Sequence, residues 1–493
     1  MSSPRLARNF AFLSIGEIAS KLFTFCAYTY LGRTLGPERY GDLEFSLSAT
    51  LFFSLFVQLG LGSYGAREIA KAPERAKALL SEILEVRLWT AALSVLVLAA
   101  FTIAIPKPNE VKLLLAAYGA SLLVTPGLML WFFQGHDDMH WVAAASLMRQ
   151  ASFAVAVFAF FRDGSPLWWV GGFETLSIVA ASALCWVLSR RMGFGAPRFG
   201  IRPKIAWAHL KTSAPIGLSN LAWAALWFFP VVILGLTLHD SSVGWFGASH
   251  RATLALHTFV WWYFFNLLPS MARTVGRPRE ELAPLMTRSL EITSWASLAM
   301  ALGFTLLAQQ LLSLAYGADF AQGGPLLATL VWAIPVTALS GHYRYLLLAY
   351  DFQGLLFAWT TVGALVACAL TWALAGQMGA LAGAVGLVAG NVVLLLLSWW
   401  SSNEKIANIG WLKPLATPAA AFVVSLAPLL IGTNRWIQGA LAGLVYTLMF
   451  CWIRRDLAGE IFLRVGRRLG WQGASHKRRS GMKSLRTNTG WMW

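Results

Sequence analysis

The chain has 493 residues, of which 57% are hydrophobic and 12% charged, with a formal net charge of +17 and a mean hydropathy of +0.60. Soluble domains carry about 25% charged residues, so this composition excludes an ordinary soluble enzyme or binding module. The apolar residues form long continuous blocks, not alternating ten-residue segments, which excludes a transmembrane β-barrel and points to an all-α polytopic membrane protein.

Apolar length, flanking charge and Gly/Pro punctuation predict about 14 transmembrane helices. The first six lie near residues 10–31, 42–65, 88–105, 113–133, 141–161 and 167–188. Six more lie near 213–236, 244–268, 290–308, 325–341, 352–375 and 378–400, and a last pair near 413–432 and 436–453. The N-terminal MSSPRLARNFAF is basic, but the apolar run behind it holds Glu17 and Lys21 and lacks a small-x-small cleavage pattern. It reads as a retained first span.

Lys and Arg stay on the cytoplasmic side during insertion. With the N-terminus inside, 30 of the 39 basic residues fall in cytoplasmic segments and 6 in external loops, so both termini are expected in the cytoplasm. This bias accounts for the net charge and calls for no nucleic acid partner. The basic tail 454–493, with HKRRS at 476–480, can also rest on anionic lipid. Cys26, Cys185, Cys368 and Cys451 lie far apart within apolar runs, so neither a disulfide framework nor a metal site is suggested.

At an offset of 203, Leu31 to Ser46 overlies Leu234 to Ser249, with identities at Leu31/Leu234, Gly32/Gly235, Thr34/Thr237, Leu35/Leu238, Gly41/Gly244 and Ser46/Ser249. Ile15-Gly16 matches Ile216-Gly217 after a shift of two. The first helix thus matches the seventh, in the same direction. That is a parallel repeat of two six-helix bundles plus two C-terminal helices. The expected divisions are 1–200, 201–403, 404–453 for the last two helices, and the tail 454–493.

A charge at mid-membrane costs about 2.5–3.5 kcal/mol on insertion scales, so those retained usually face a partner or a wet cavity. Lys21 in the first helix, Arg149 in the fifth and Arg251 in the eighth are such cations; Glu17, Glu174 and Glu291 are acidic companions. Glu17 and Lys21 are four apart and share a helical face. Either they form a self-neutralised pair that eases insertion, or Lys21 meets a cargo phosphate while Glu17 sets its charge or takes a proton. At the matching depth the seventh helix offers only Leu221-Ala222-Trp223-Ala224, and Arg251 matches Ser48, so neither cation belongs to the repeated scaffold. His250 and His257, seven apart, lie on one stripe beside Arg251. A lone membrane histidine is usually a satisfied core group, whereas next to an intramembrane arginine it more often lines a cavity. Arg149 can instead snorkel to the surface.

The runs RNFAFLSIGEIASKLFTF and LGRTLGPERYGDLEFS, then FVQLGLGSYGAREIAK at 56–71 and WFFQG at 131–135, resemble bacterial polysaccharide exporters of the Wzx type within the MATE-like superfamily. The resemblance implies two bundles facing each other in a V, alternating access, and an undecaprenyl-pyrophosphate-linked oligosaccharide as cargo in the bacterial inner membrane. It also implies basic residues of the first and eighth helices along a cationic cavity, which supports Lys21 and Arg251 over Arg149, and cooperation with polysaccharide polymerase or ligase machinery. Glu17 and Glu174 are candidates for ion coupling, and no cofactor or covalent chemistry is expected.

Two alternatives stay open on the residues alone. A cation-coupled drug exporter would want carboxylates as its dominant cavity charges, whereas here bases at least match acids. A polyprenyl-dependent glycosyltransferase or ligase would need a sizeable external loop, and the longest predicted, around 309–324, is short. Walker, HExxH and nucleophile-elbow patterns do not occur.

Overall fold

The computed structural model describes residues 3–195, 200, 203–238, 240–276, 279–432, 434–457 and 459, with the side chains of 3–15, 17, 279 and 280 excepted. The Glu17 side chain and the tail beyond residue 459 therefore lie outside the described residues.

The described chain is helical throughout, in the order α1 (Ser3–Gln58), α2 (Leu61–Lys71), α3 (Ala76–Ala104), α4 (Asn109–Val124), α5 (Leu130–Gly135), α6 (Met139–Phe160), α7 (Trp168–Arg191) and α8 (Pro203–Thr237). It continues as α9 (Ser242–Ala272), α10 (Arg279–Leu306), α11 (Ala308–Tyr316), α12 (Gly324–Leu330), α13 (Ala333–Ala349), α14 (Gln353–Met378), α15 (Leu381–Lys405), α16 (Leu412–Val424) and α17 (Arg435–Ile453).

The stretch YLGRTLGPERYG is expected as a loop-like turn, yet helix runs through it, broken at one residue. Gly36 has φ 71 and ψ 171, and Pro37 follows. Positive φ is accessible to glycine without a Cβ clash, and proline lacks the N–H that would continue the helical ladder. α1 is thereby two arms that reverse at Gly36. Gly16 of the first arm packs on Ala143 in α6, and Gly65, just beyond the second, packs on Trp131 just before α6. We call the end of the molecule at Gly36 the turn face and the opposite end the linker face.

The first arm of α1 packs on α6, and α4 and α6 both pack on α7. Later in the chain α8, α14 and α15 form one packed set, with α13 between α9 and α15. α1 bridges the two sets through α8 and α9. At the bridge, a Cβ placed on Gly41 would stand 2.9 Å from Gly244 N, and one on Gly244 would stand 1.8 Å from Pro37 O. Gly41 and Gly244 are the residues that the 203-residue offset equates. In a two-fold arrangement only positions on the axis meet their own counterparts, so this contact fits a repeat whose axis passes between them.

All predicted helices have a helix over them, but the count of 14 spans does not follow. Eleven described helices are long and apolar enough to cross a membrane, or 12 if the bent pair α10–α11 is one span. The difference has two sources: both arms of α1 fall in one continuous stretch, and α9, with His250, Arg251 and His257, is not among those that qualify. Two stretches differ in kind. The connection around 309–324 is α11 and a 3-10 turn, set at 73° to α10. The tenth predicted helix, ending at 341, runs on to Ala349. Gly341 is a site of close packing under the Phe264 ring and not a stop signal. The helix ends instead before Asp351, at φ 63.

Candidate functional site

Two polar sites lie on the helices that bridge the sets. The first is a cavity of about 100 Å³ lined by Ser20, Lys21 and Thr24 of α1, Ser146, Arg149 and Gln150 of α6, and Leu128 and Leu130. The helical repeat places Ser20, Lys21 and Thr24 on one face of α1, and Ser146, Arg149 and Gln150 likewise on α6. Thr24 donates its hydroxyl to Gln150 Oε1 at 3.0 Å. Arg149 Nη2 pairs with Glu174 Oε1 on α7, and the Arg149 Nε is buried with no hydrogen-bond partner. Lys21 is exposed. The cavity lining thus holds two cations and no carboxylate, with hydroxyl and amide groups between them.

Arg149 does not snorkel to a surface: its charge is held by Glu174, which is 9% exposed. That pairing also accounts for Glu174, expected as an ion-coupling candidate.

The second site is centred on Arg251 in α9. Its Nε and Nη2 donate to Glu44 Oε1 on the second arm of α1, at 2.8 and 2.5 Å. The guanidinium lies 3.5 Å from the centroid of the Tyr28 ring. Tyr40, Tyr316 and Phe320 close over it, with Tyr40–Tyr316 and Tyr40–Phe320 centroids at 5.7 and 5.6 Å. Arginine suits such a place, because its flat, weakly hydrated cation can take a carboxylate on its edge and an aromatic ring on its face. The Glu44 and Arg251 side chains are only 4% and 17% exposed. Lys21 and Arg149 are therefore brought together in one cavity, while Arg251 sits apart in a closed cluster near the turn face.

His250 is 2% exposed and stacks on Phe246 at 5.9 Å, with Phe228 edge-on at 5.5 Å. His257 lies 4.6 Å from Trp227 and 6.4 Å from Trp223. The expected stripe exists, since both imidazoles meet Trp227, but it packs on aromatic rings of α8.

Sequence reasoning missed two residues. Glu44 was unconsidered, although its counterpart at the 203 offset is Gly247, and a Cβ there would stand 2.5 Å from the Glu44 Cγ. A charge in one repeat opposite a glycine in the other is the signal that marks it. Arg344, counted in a loop between the tenth and eleventh helices, lies within the membrane-spanning stretch Ala318–Ala349.

The family model described as polysaccharide biosynthesis protein matches residues 6–275 of this chain. The chain belongs to that family. The match spans α1 through α9, and so includes the cavity, the Arg251 cluster and every motif behind the Wzx-type resemblance; Arg344 lies beyond it. A protein of Escherichia coli (strain K12) named "Putative O-antigen transporter" is 21% identical over 322 residues, covering 64% of this chain and 76% of that one. Among solved structures, the lipid II flippase MurJ in an inward closed conformation superposes with a TM-score of 0.72 at 14% identity, over 91% of this chain and 100% of that one. An inward-facing multidrug resistance MATE family transporter of the MOP superfamily gives 0.66 at 15% identity, over 81% and 98%. At such identities the likeness is one of fold. This family member is a multi-pass membrane protein built on the MOP transporter architecture.

Proposed function

We propose that this chain is a flippase that moves a polyprenyl-pyrophosphate-linked oligosaccharide from the cytoplasmic to the periplasmic leaflet of a bacterial inner membrane, by alternating access and without covalent chemistry. The observation that carries the reading is the Lys21–Arg149 cavity. A diphosphate brings several anionic oxygens on a compact scaffold. Arginine answers them with directed N–H donors and lysine with a point charge, while Ser20, Ser146 and Gln150 add neutral hydrogen-bonding groups at the same lining.

A lining of two cations without a carboxylate is the wrong sign for holding a cationic drug, which disfavours the drug-exporter reading. The basic bias of the linker-face segments supports a cytoplasmic linker face. On that orientation the Arg251–Glu44 cluster closes the periplasmic side, and cargo reaches Lys21 from the cytoplasmic side. Return to the outer leaflet then requires the cluster to part. Polymerase and ligase machinery would consume the delivered cargo.

The test is a mass-spectrometric inventory of lipid-linked sugars in cells deleted for this chain. Precursor accumulating in the cytoplasmic leaflet, with surface glycan lost, is the expected result. Precursor that reaches the periplasm and stays unattached would replace the reading with a ligase.

A further inference from the structure

α13 carries an arginine that the proposed export reading leaves unused. Arg344 is half-buried in a membrane-spanning stretch, and its Nε is buried without a hydrogen-bond partner. The other described guanidiniums within spans that face a carboxylate do so closely, as in Arg149–Glu174 and Arg251–Glu44. Arg344 faces none among the described residues, and its electrostatic neighbours are His257 and Tyr345. One turn earlier on α13, Ser340 Oγ is also buried and unpartnered, as is Ser398 Oγ on α15, which packs against α13. Buried polar groups in folded proteins nearly always find a partner. Unpartnered donors clustered around a cation mark a place where an anion or polar ligand can complete the bonding.

The surroundings indicate the kind of ligand. Trp227 and Trp223 flank His257 with centroids 4.6 and 6.4 Å away, giving flat faces for the apolar side of a sugar ring. α13 is packed between α9, α10 and α15, so a lipid headgroup has no open approach from the bilayer. One guanidinium matches one carboxylate as a two-pronged pair, whereas a diphosphate is better served by the two cations at Lys21 and Arg149.

We propose that Arg344, with Ser340, His257, Trp223 and Trp227, forms a second subsite that takes a carboxylate-bearing sugar of the cargo. It lies on α8, α9 and α13, apart from the diphosphate cavity on α1 and α6. The inference rests on the export reading for its role, but the site itself is testable alone.

The full chain in lipid nanodiscs is examined by saturation-transfer NMR with free galacturonate and free galactose as probes, and by phosphorus line broadening with pyrophosphate. Galacturonate is expected to receive saturation at least tenfold more strongly than galactose. Arg344→Gln removes that difference, Arg344→Lys keeps part of it, and neither changes pyrophosphate broadening. Equal signals for the two sugars on the unaltered chain overturn the proposal, and this comparison needs no variant to fold. A galacturonate signal that survives Arg344→Gln also overturns it. So does a loss of pyrophosphate binding in that variant, because Arg344 would then belong to the phosphate site. If galacturonate selectivity depends on Arg344 while the deletion strain accumulates no lipid-linked precursor, the subsite stands and the export reading falls.

Discussion

Arg251 Nε and Nη2 converge on a single oxygen of Glu44, at 2.8 and 2.5 Å, and tie α9 to the second arm of α1. Both side chains are nearly buried, at 17% and 4% exposure. Removing one member of such a pair leaves the other as an uncompensated buried charge, a loss of about 3–5 kcal/mol. Replacing both removes the desolvation cost along with the attraction. Arg251→Met alone should therefore lower the thermal unfolding midpoint of the purified protein markedly. Arg251→Met combined with Glu44→Gln should recover most of it and still alter export, because the latch is gone. Equal destabilisation in the single and double variants would show that the pair is not coupled.

The Gly41–Gly244 contact makes a second, steric prediction. A methyl group on Gly244 would stand 1.8 Å from Pro37 O, a backbone atom that cannot swing away. Gly244→Ala must separate α9 from the start of the second α1 arm. Ser48, 2% exposed on that arm, should then become reachable. In a Ser48→Cys background, Gly244→Ala is expected to raise the rate of thiol labelling by at least tenfold without loss of expression. An unchanged rate would mean that the helices slide and keep their closure.

Much of this architecture was legible in the sequence because membrane helices announce themselves by length and apolarity, and because a repeat leaves glycines where backbones must touch. Gly41 and Gly244 were paired by sequence and meet in space. Lys21 and Arg149 were recognised as costly intramembrane charges, yet nothing in one dimension says which cations share a cavity. Glu44 was hidden because it sits three residues beyond a turn glycine, where a charge looks interfacial. Only the fold of α11 and its 3-10 turn, bringing Tyr316 and Phe320 over Tyr40, makes that place closed. Arg344 was hidden by Gly341, whose lack of a side chain serves the Phe264 contact and resembles a helix stop when read alone.

His209 joins elements on either side of the linker between the two helix sets. Its Nε2 lies 3.0 Å from Glu82 Oε2 on α3 and its Nδ1 lies 3.1 Å from the Tyr64 hydroxyl on α2, while the residue is 6% exposed near the start of α8. Leu is close in volume but bonds neither partner, leaving a carboxylate and a phenol short of their contacts. His209→Leu should cost about 1–3 kcal/mol, read as a lower unfolding midpoint. His209→Gln, which can reach one partner, should fall between. Because α8 begins the second repeat, the same loss should make the linker segment easier to cleave by added protease; unchanged cleavage would confine His209 to local packing.

The diphosphate cavity is best tested by separating charge from stability. Arg149 holds Glu174, so Arg149→Gln strands a nearly buried carboxylate and is expected to destabilise by about 3–5 kcal/mol. Adding Glu174→Gln removes the stranded charge and should restore the unfolding midpoint. If Arg149 serves only as a structural partner of Glu174, the double variant will bind pyrophosphate as the unaltered chain does. If its unpartnered Nε and remaining donors also serve the cavity, affinity for pyrophosphate will stay at least tenfold weaker in the double variant, about 1.4 kcal/mol. Lys21 is exposed, so Lys21→Gln should leave the midpoint nearly unchanged and weaken pyrophosphate binding to a similar degree. Isothermal titration on the four proteins decides it. Undiminished affinity in both the double variant and Lys21→Gln would remove the cavity from the transport path, because two cations that can be neutralised without effect do not hold the anion.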